Sequence, residues 1–211
     1  MGEANRRKAM QDARTDELRA AVAQVAHTLS RLASAASSHL GADCYVHAAL
    51  GQVLLTDLGF DARLAVGEAA FRLGPGDGDV VSHTPRVQGY VPEDAVGFGY
   101  HAWLVVLGHI VDFTTYQLAQ KARDLDKADG GKTQVDWCPP WLMLPFGQVK
   151  NYNDVANSVQ PGDCFYLDHP KLHRRMQRGF TLDAQDVANA RYVFAHPEAQ
   201  VLGPQTVLRG E

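Results

Sequence analysis

The chain has 211 residues, of which 45% are hydrophobic and 21% charged, and its formal net charge is −4 at pH 7. This composition is ordinary for a globular protein with one sizeable core. The slight negative charge argues against a nucleic-acid-binding protein, and no apolar run is long enough for a membrane span or a signal peptide. We therefore expect a soluble cytoplasmic protein that binds neither nucleic acid nor membrane, while its oligomeric state stays open.

The cysteines limit the possible chemistry. There are three of them, Cys44, Cys138 and Cys164, and no two have Cys-x-x-Cys spacing. An odd number without that spacing argues against both a disulfide framework and a cysteine-rich zinc site. We expect reduced thiols, no metal and no cofactor.

The N-terminal part begins with a polar segment. Residues 1–14 are charged and predict a polar arm, either frayed or the start of a helix. From Thr15 to about Ser38, apolar residues recur at helical spacing and predict a long packing helix. We interpret residues 15–211 as a single α+β domain, with its core at about 43–116.

Cys44 opens the next predicted helix, which runs to about Leu58 because its apolar residues recur at helical spacing. Asp43 or Gly41 can cap its start, and Gly59 supplies the left-handed residue past its end. In the first turn of a helix, the unpaired N–H groups and the helix dipole favour thiolate over thiol. The simpler interpretation of Cys44 is a small buried residue without a catalytic role.

Two β-rich runs on either side of Gly108 predict a β-hairpin. If Leu107 and Gly108 form its two-residue loop, His101 and Asp112 are diagonal neighbours on one face, roughly 7 to 8 Å apart at the backbone. If the loop lies one residue later, Asp112 slides to roughly 13 Å along the strand from His101. Only the first register brings the two side chains together.

Cys44, His101 and Asp112 form a chemically meaningful set. A thiol nucleophile needs a base to take its proton, and the base needs a third group that fixes its tautomer. The three residues are therefore candidate catalytic residues of a cysteine-dependent acyl-transfer enzyme. A histidine at the start of a strand and an aspartate that binds a turn are the alternatives without catalysis.

The same residues carry a resemblance to a known family. The Cys44 helix, the strand after it, the His-Ala-Trp motif at 101–103 and the Asp-Phe-Thr motif at 112–114 resemble the core of transglutaminase-like domains in the papain-like cysteine-peptidase superfold. The resemblance covers about residues 43–116 and indicates a divergent bacterial branch. It departs from papain-like peptidases before the cysteine, where Ser37-Ser38-His39 stands in place of the oxyanion-hole glutamine.

The resemblance implies N-terminal helices packed on an antiparallel sheet and a Cys44-His101-Asp112 catalytic triad. It also implies a thiol-dependent hydrolase or acyltransferase, acting on a small-molecule or peptide substrate with an amide or thioester group.

Two other functions stay open. The chain is alternatively a non-catalytic binding or scaffold protein that retains the superfold. A third possibility is a metal-binding protein that uses the histidines and Asp112. His169 and His173 have the i, i+4 spacing of zinc ligands on a helix, but no third ligand is evident nearby, so metal is the weaker interpretation there.

The remaining segments have local patterns only. They predict a strand over 62–73, a glycine-rich turn, a helix over 117–129 and an extended aromatic segment over 136–145. A short helix over 153–159, a buried strand at 164–167 and a helix that Thr181 caps complete the chain.

Overall fold

The computed structural model describes residues 2–35, 44–84, 99–203 and 206–208. The predicted caps Gly41 and Asp43, and the segment Ser37-Ser38-His39, lie outside these ranges. The helices are α1 (Glu3–Ala35), α2 (Cys44–Asp57), α3 (Leu118–Asp129), α4 (Tyr152–Asn157), α5 (Pro170–Gly179) and α6 (Ala184–Ala195). The strands are β1 (Arg63–Arg72), β2 (Val80–His83), β3 (His101–Val106), β4 (His109–Asp112), β5 (Leu142–Pro145), β6 (Cys164–Asp168), β7 (Gln200–Gly203) and β8 (Thr206–Leu208).

Helix α1 is longer than the sequence predicted, because it begins at Glu3 and includes most of the segment assigned to a polar arm. No glycine or proline separates Glu3 from Thr15, so nothing interrupts the helix there. The first turns are exposed, and Arg7 pairs with Glu3 one turn away. Burial begins at Leu18, where the predicted apolar stripe starts.

Helix α2 agrees with the prediction, since it runs from Cys44 to Asp57 and is followed by Gly59 at a φ of 81°. It packs against α1 and α6 and against strands β1 and β3. A helix enclosed in this way needs apolar residues nearly all round, and ten of its residues are buried.

The main sheet is antiparallel, and β1 lies at its centre. Strand β1 pairs with β3 through residues 63–67, with β6 through 67–71 and with β2 through 69–72. Positions 69–71 pair with both β2 and β6, and Gly67 pairs with both β3 and β6, so β6 occupies one edge of β1. Strands β2 and β3 therefore share the other edge. On the far side of β3 follow β4 and β5.

The sheet separates two hydrophobic clusters. Helices α1, α2 and α6 cover one face, where Leu64, Val66 and Leu104 are buried. Helix α3 and the extended aromatic segment cover the other, around Phe71 and Trp103. The α+β class with N-terminal helices packed on an antiparallel sheet is confirmed. No helix in the described ranges has an apolar stretch long enough to cross a membrane.

Three elements were not predicted: strand β2, helix α5 and the β7–β8 pair. Strand β2 has only four residues and follows a glycine-rich turn, so it has little periodicity to detect. The cap of α6 is Asp183 rather than Thr181, because the Asp183 side chain accepts a hydrogen bond from the Gln185 N–H.

Arg72 at the end of β1 is buried and connects three segments. Its guanidinium donates to the carbonyl oxygens of Val155 and Ala156 in α4, and at 2.6 Å to that of Gly76 in the glycine-rich turn. One side chain thus satisfies the last carbonyls of a short helix and one carbonyl of a turn.

We predict that Arg72→Met lowers the free energy of unfolding by about 3 kcal/mol, because the carbonyl oxygens of Val155, Ala156 and Gly76 each lose a hydrogen bond from the buried guanidinium. Urea denaturation followed by circular dichroism measures the loss. Arg123→Met on the exposed face of α3 is the matched control, expected within about 0.5 kcal/mol of the unsubstituted protein. Equal denaturation midpoints for the two variants would contradict this role.

Candidate active site

The β3–β4 hairpin has the register that unites the predicted site residues. Val106 pairs with His109 and Leu104 with Val111, so Leu107 and Gly108 form the two-residue loop. Both loop residues have positive φ, 47° and 74°, as a type I′ turn requires. The first of the two predicted registers is therefore confirmed.

His101 and Asp112 are in direct contact. Nε2 of His101 lies 2.6 Å from Oδ2 of Asp112, and both side chains are buried. The triad requires a contact between Cys44 and His101 and another between His101 and Asp112. The second of these has the geometry of a short hydrogen bond.

Asp112 receives three further hydrogen bonds. The backbone N–H and the hydroxyl of Thr114 each donate to Oδ1 at 2.8 Å, and the Tyr166 hydroxyl donates to Oδ2 at 2.9 Å. Burial alone would raise the pKa of Asp112, but the charge and hydrogen bond of His101 and the two bonds from Thr114 outweigh it and lower the pKa to about 2. The carboxylate is therefore held in its charged form.

Tyr166 is a site residue that the sequence did not reveal. It lies on β6, 54 positions along the chain from Asp112. The pattern around Cys164 predicted a buried strand, and a buried tyrosine normally finds a partner for its hydroxyl. That partner becomes visible only when β6 pairs with β1.

His101 carries a positive charge in this setting. Burial alone would lower the pKa of His101. The charge and hydrogen bond of Asp112, together with the smaller effect of Cys44, outweigh burial and raise the pKa to about 10. With Nε2 bonded to Asp112, Nδ1 is the ring nitrogen available to Cys44. Nδ1 is buried, and among the described residues it has no hydrogen bond of ordinary geometry.

Cys44 lies at the first position of α2, as predicted, and only 9% of its surface is exposed. Its effect on the pKa of His101 places it beside that ring. The structure therefore brings Cys44, His101 and Asp112 together in the predicted order, with His101 in the middle.

Aromatic rings surround His101 on its face of the sheet. The ring centroid of His83 lies 4.8 Å away, that of Phe71 5.4 Å and that of Tyr166 6.1 Å. Strand β1 leaves room for them, because Gly67 faces His101 and Ala69 faces both His83 and Tyr166.

Gly67 has a second reason to be a glycine. A Cβ at this position would lie 1.9 Å from the carbonyl oxygen of Leu167, so no side chain fits where β1 and β6 meet.

The other candidate residues lie outside this cluster. The Cys138 thiol contacts the carbonyl oxygens of Thr115 and Tyr116. Burial and the charges of Asp112 and Asp163 raise the pKa of the Cys164 thiol, which favours an inert side chain.

His169 and His173, the alternative zinc ligands, have no third ligand beside them in the described part of the chain. His169 precedes α5 and binds the buried Glu68 at 2.9 Å, whereas His173 lies inside α5. Among the described residues, no group of three or more His, Cys, Asp or Glu side chains is arranged to hold a metal ion.

We predict that His101 stays an imidazolium from pH 5.5 to 8.5, because a pKa of about 10 means that the charge is lost only as the pH rises toward that value. Its neighbour His83 should stay neutral over the same range, since its pKa lies well below 6.5. Nitrogen-15 NMR of labelled histidines measures both states. A His101 signal that titrates near 6.5 would contradict the ion pair.

Comparison with known proteins gives one structural likeness. No protein-family model matches the chain, and no curated protein does. A crystal structure of a genomics target, APC5867, superposes with a TM-score of 0.55 at 16% identity, covering 83% of this chain and 77% of that one. At this identity the likeness concerns the fold alone.

Proposed function

We propose that this protein is a cysteine-dependent acyl-transfer enzyme, with Cys44 as nucleophile, His101 as general acid and base, and Asp112 as the residue that orients His101. The observation that carries the proposal is the 2.6 Å contact between His101 Nε2 and a fully buried Asp112, beside a thiol at the start of a helix. Burying this charged pair costs several kcal/mol of desolvation. Apolar side chains would pack here without that cost, so the pair favours a chemical role.

In the first step, the Cys44 thiolate attacks the carbonyl carbon of an amide or thioester. The bond to the leaving group then breaks, and the imidazolium of His101 donates its Nδ1 proton to that group. The Nε2 proton stays on the His101 ring and is donated to the Asp112 carboxylate throughout, so the ring presents Nδ1 to the reacting atoms. The product of this step is an acyl-enzyme with a thioester at Cys44.

In the second step, neutral His101 takes a proton from the incoming nucleophile, which attacks the thioester and releases Cys44. Water as nucleophile gives a hydrolase, and an amine or thiol gives an acyltransferase. Both reactions use the same three residues. The proposal therefore covers hydrolysis and acyl transfer, with a small-molecule or peptide acyl substrate.

We also propose that the chain is a distant relative of transglutaminase-like domains in the papain-like superfold. The order of Cys44, His101 and Asp112, the helix that starts at the cysteine and the antiparallel sheet beneath it support this assignment. All three cysteines are free, which agrees with a reducing compartment such as the cytoplasm.

A non-catalytic scaffold is the second candidate, and a specific observation favours it. Cys44 is 9% exposed and His101 is 3% exposed, so the set is largely enclosed. A protein that had lost turnover would retain the buried His101–Asp112 pair for stability and lose reactivity at Cys44.

We predict that iodoacetamide alkylates Cys44 faster than Cys138 and Cys164 at neutral pH, because only Cys44 has an imidazolium beside it. His101→Ala should slow the alkylation of Cys44 on the order of 10²-fold. Mass spectrometry of the native protein, sampled over time, gives a separate rate for each cysteine.

His109→Ala is the matched control, because His109 lies on the same hairpin but points away from the site toward Leu107. It should leave all three rates unchanged. If the three cysteines react at equal rates, or His101→Ala leaves the Cys44 rate unmoved, the ion-pair mechanism fails and the scaffold is the better description.

A further inference from the structure

His83 belongs to the same cluster as the proposed triad but has no role in it. It ends β2 and faces Ala69, whereas His101 begins β3 and faces Gly67 two residues earlier on the same edge of β1. Cross-strand partners share a face, so both imidazoles lie above β1, with ring centroids 4.8 Å apart. Phe71 presents a perpendicular ring to each of them.

In the described ranges of the chain, the His83 ring contacts the rings of Phe71 and His101, and no side chain forms a hydrogen bond with it. The side chain is half-buried against aromatic rings. A neutral imidazole has one N–H donor and one acceptor, and at this half-buried position the ring is accessible to solvent or to a ligand. A group supplied by a bound ligand would satisfy the donor.

The charge of His83 favours a donor role over a base. Burial lowers its pKa well below the usual value, and the positive charges of His101 and Lys121 lower it further against the opposing effect of Asp112. The ring is therefore neutral at the pH where His101 is charged, and it takes up protons poorly. A neutral imidazole beside a reacting carbonyl acts as an electrophile through its N–H.

We propose that His83 is a further catalytic residue, whose ring N–H donates a hydrogen bond to the oxyanion that forms on the substrate carbonyl when Cys44 attacks. This inference rests on the proposed function. It assigns an oxyanion donor on the sheet, in a chain that has no glutamine between residues 25 and 43, just before the cysteine. Such a donor must reach about 3 Å from the oxygen in the transition state.

The electron balance identifies the step at which His83 acts. As the Sγ–C bond forms, the π electrons of the carbonyl move onto oxygen, and the N–H of His83 stabilises that negative charge. As the tetrahedral intermediate collapses, the electrons return, the bond to the leaving group breaks and the leaving group departs with its electron pair. Alkylation by iodoacetamide forms a bond from Sγ to a methylene carbon and releases iodide, without any oxyanion.

Two reagents therefore separate the role of His83 from that of the triad. p-Nitrophenyl acetate acylates Cys44 through an oxyanion and releases one nitrophenolate in a single turnover, whereas iodoacetamide only reports the thiolate. Both rates are measured for the unsubstituted protein, His83→Ala, His83→Gln and the control His109→Ala. Cys44→Ser gives the background from Cys138 and Cys164.

We expect His83→Ala to slow acylation about 10²-fold to 10³-fold. Its alkylation rate should stay within about threefold, which also shows that the variant is folded and retains the Cys44–His101 pair. His83→Gln keeps a side-chain N–H donor and should restore acylation at least tenfold relative to His83→Ala. His109→Ala should change neither rate.

Acylation and alkylation that fall together in His83→Ala would overturn the oxyanion role, because the histidine would then act through the Cys44–His101 pair. Acylation that is unchanged in His83→Ala would overturn it as well. If Cys44 in the unsubstituted protein reacts no faster than the other cysteines with either reagent, the proposed function itself fails, and the oxyanion role fails with it.

Discussion

The buried carboxylate of Asp112 is the constraint on which the site depends. A charge in this position is tolerable only when its oxygens are hydrogen-bonded, and four donors from β3, β6 and the segment after β4 supply those bonds. The donors fix the side chain, and the side chain fixes the His101 ring. Because the donors come from separate parts of the chain, the pair forms only when the sheet is complete.

Strand β1 makes this arrangement possible because it has small residues at the positions that face the rings. Gly67 and Ala69 leave space above the strand, and rings from β2, β3 and β6 fill it. One edge of β1 serves two partners in succession, which brings His83 and His101 together although they lie on different strands. A side chain at 67 would collide with the backbone of β6, and a larger side chain at 69 would take the space that the rings fill.

The sequence predicted the parts of the site that depend on local chemistry. A two-residue turn containing Gly108 limited the hairpin to two registers, one of which brings His101 to Asp112, and helical periodicity placed Cys44 at the start of a helix. Tyr166 and His83 could not be found in this way, because their places depend on which edge of β1 each strand occupies. That choice is a long-range property of the fold, and β2 is too short to show a pattern.

Burial differs among the residues of the proposed site, and the proposed reaction requires access to the thiol from the less buried side. Asp112 is fully enclosed and His101 is 3% exposed, so the base is closed on the carboxylate side. Cys44 retains 9% exposure, and His83 is half-buried at the end of β2. Access therefore increases from Asp112 through His101 toward Cys44 and His83. In the proposed function, a carbonyl would approach from this more exposed side, while water is kept from the ion pair that holds the base in place.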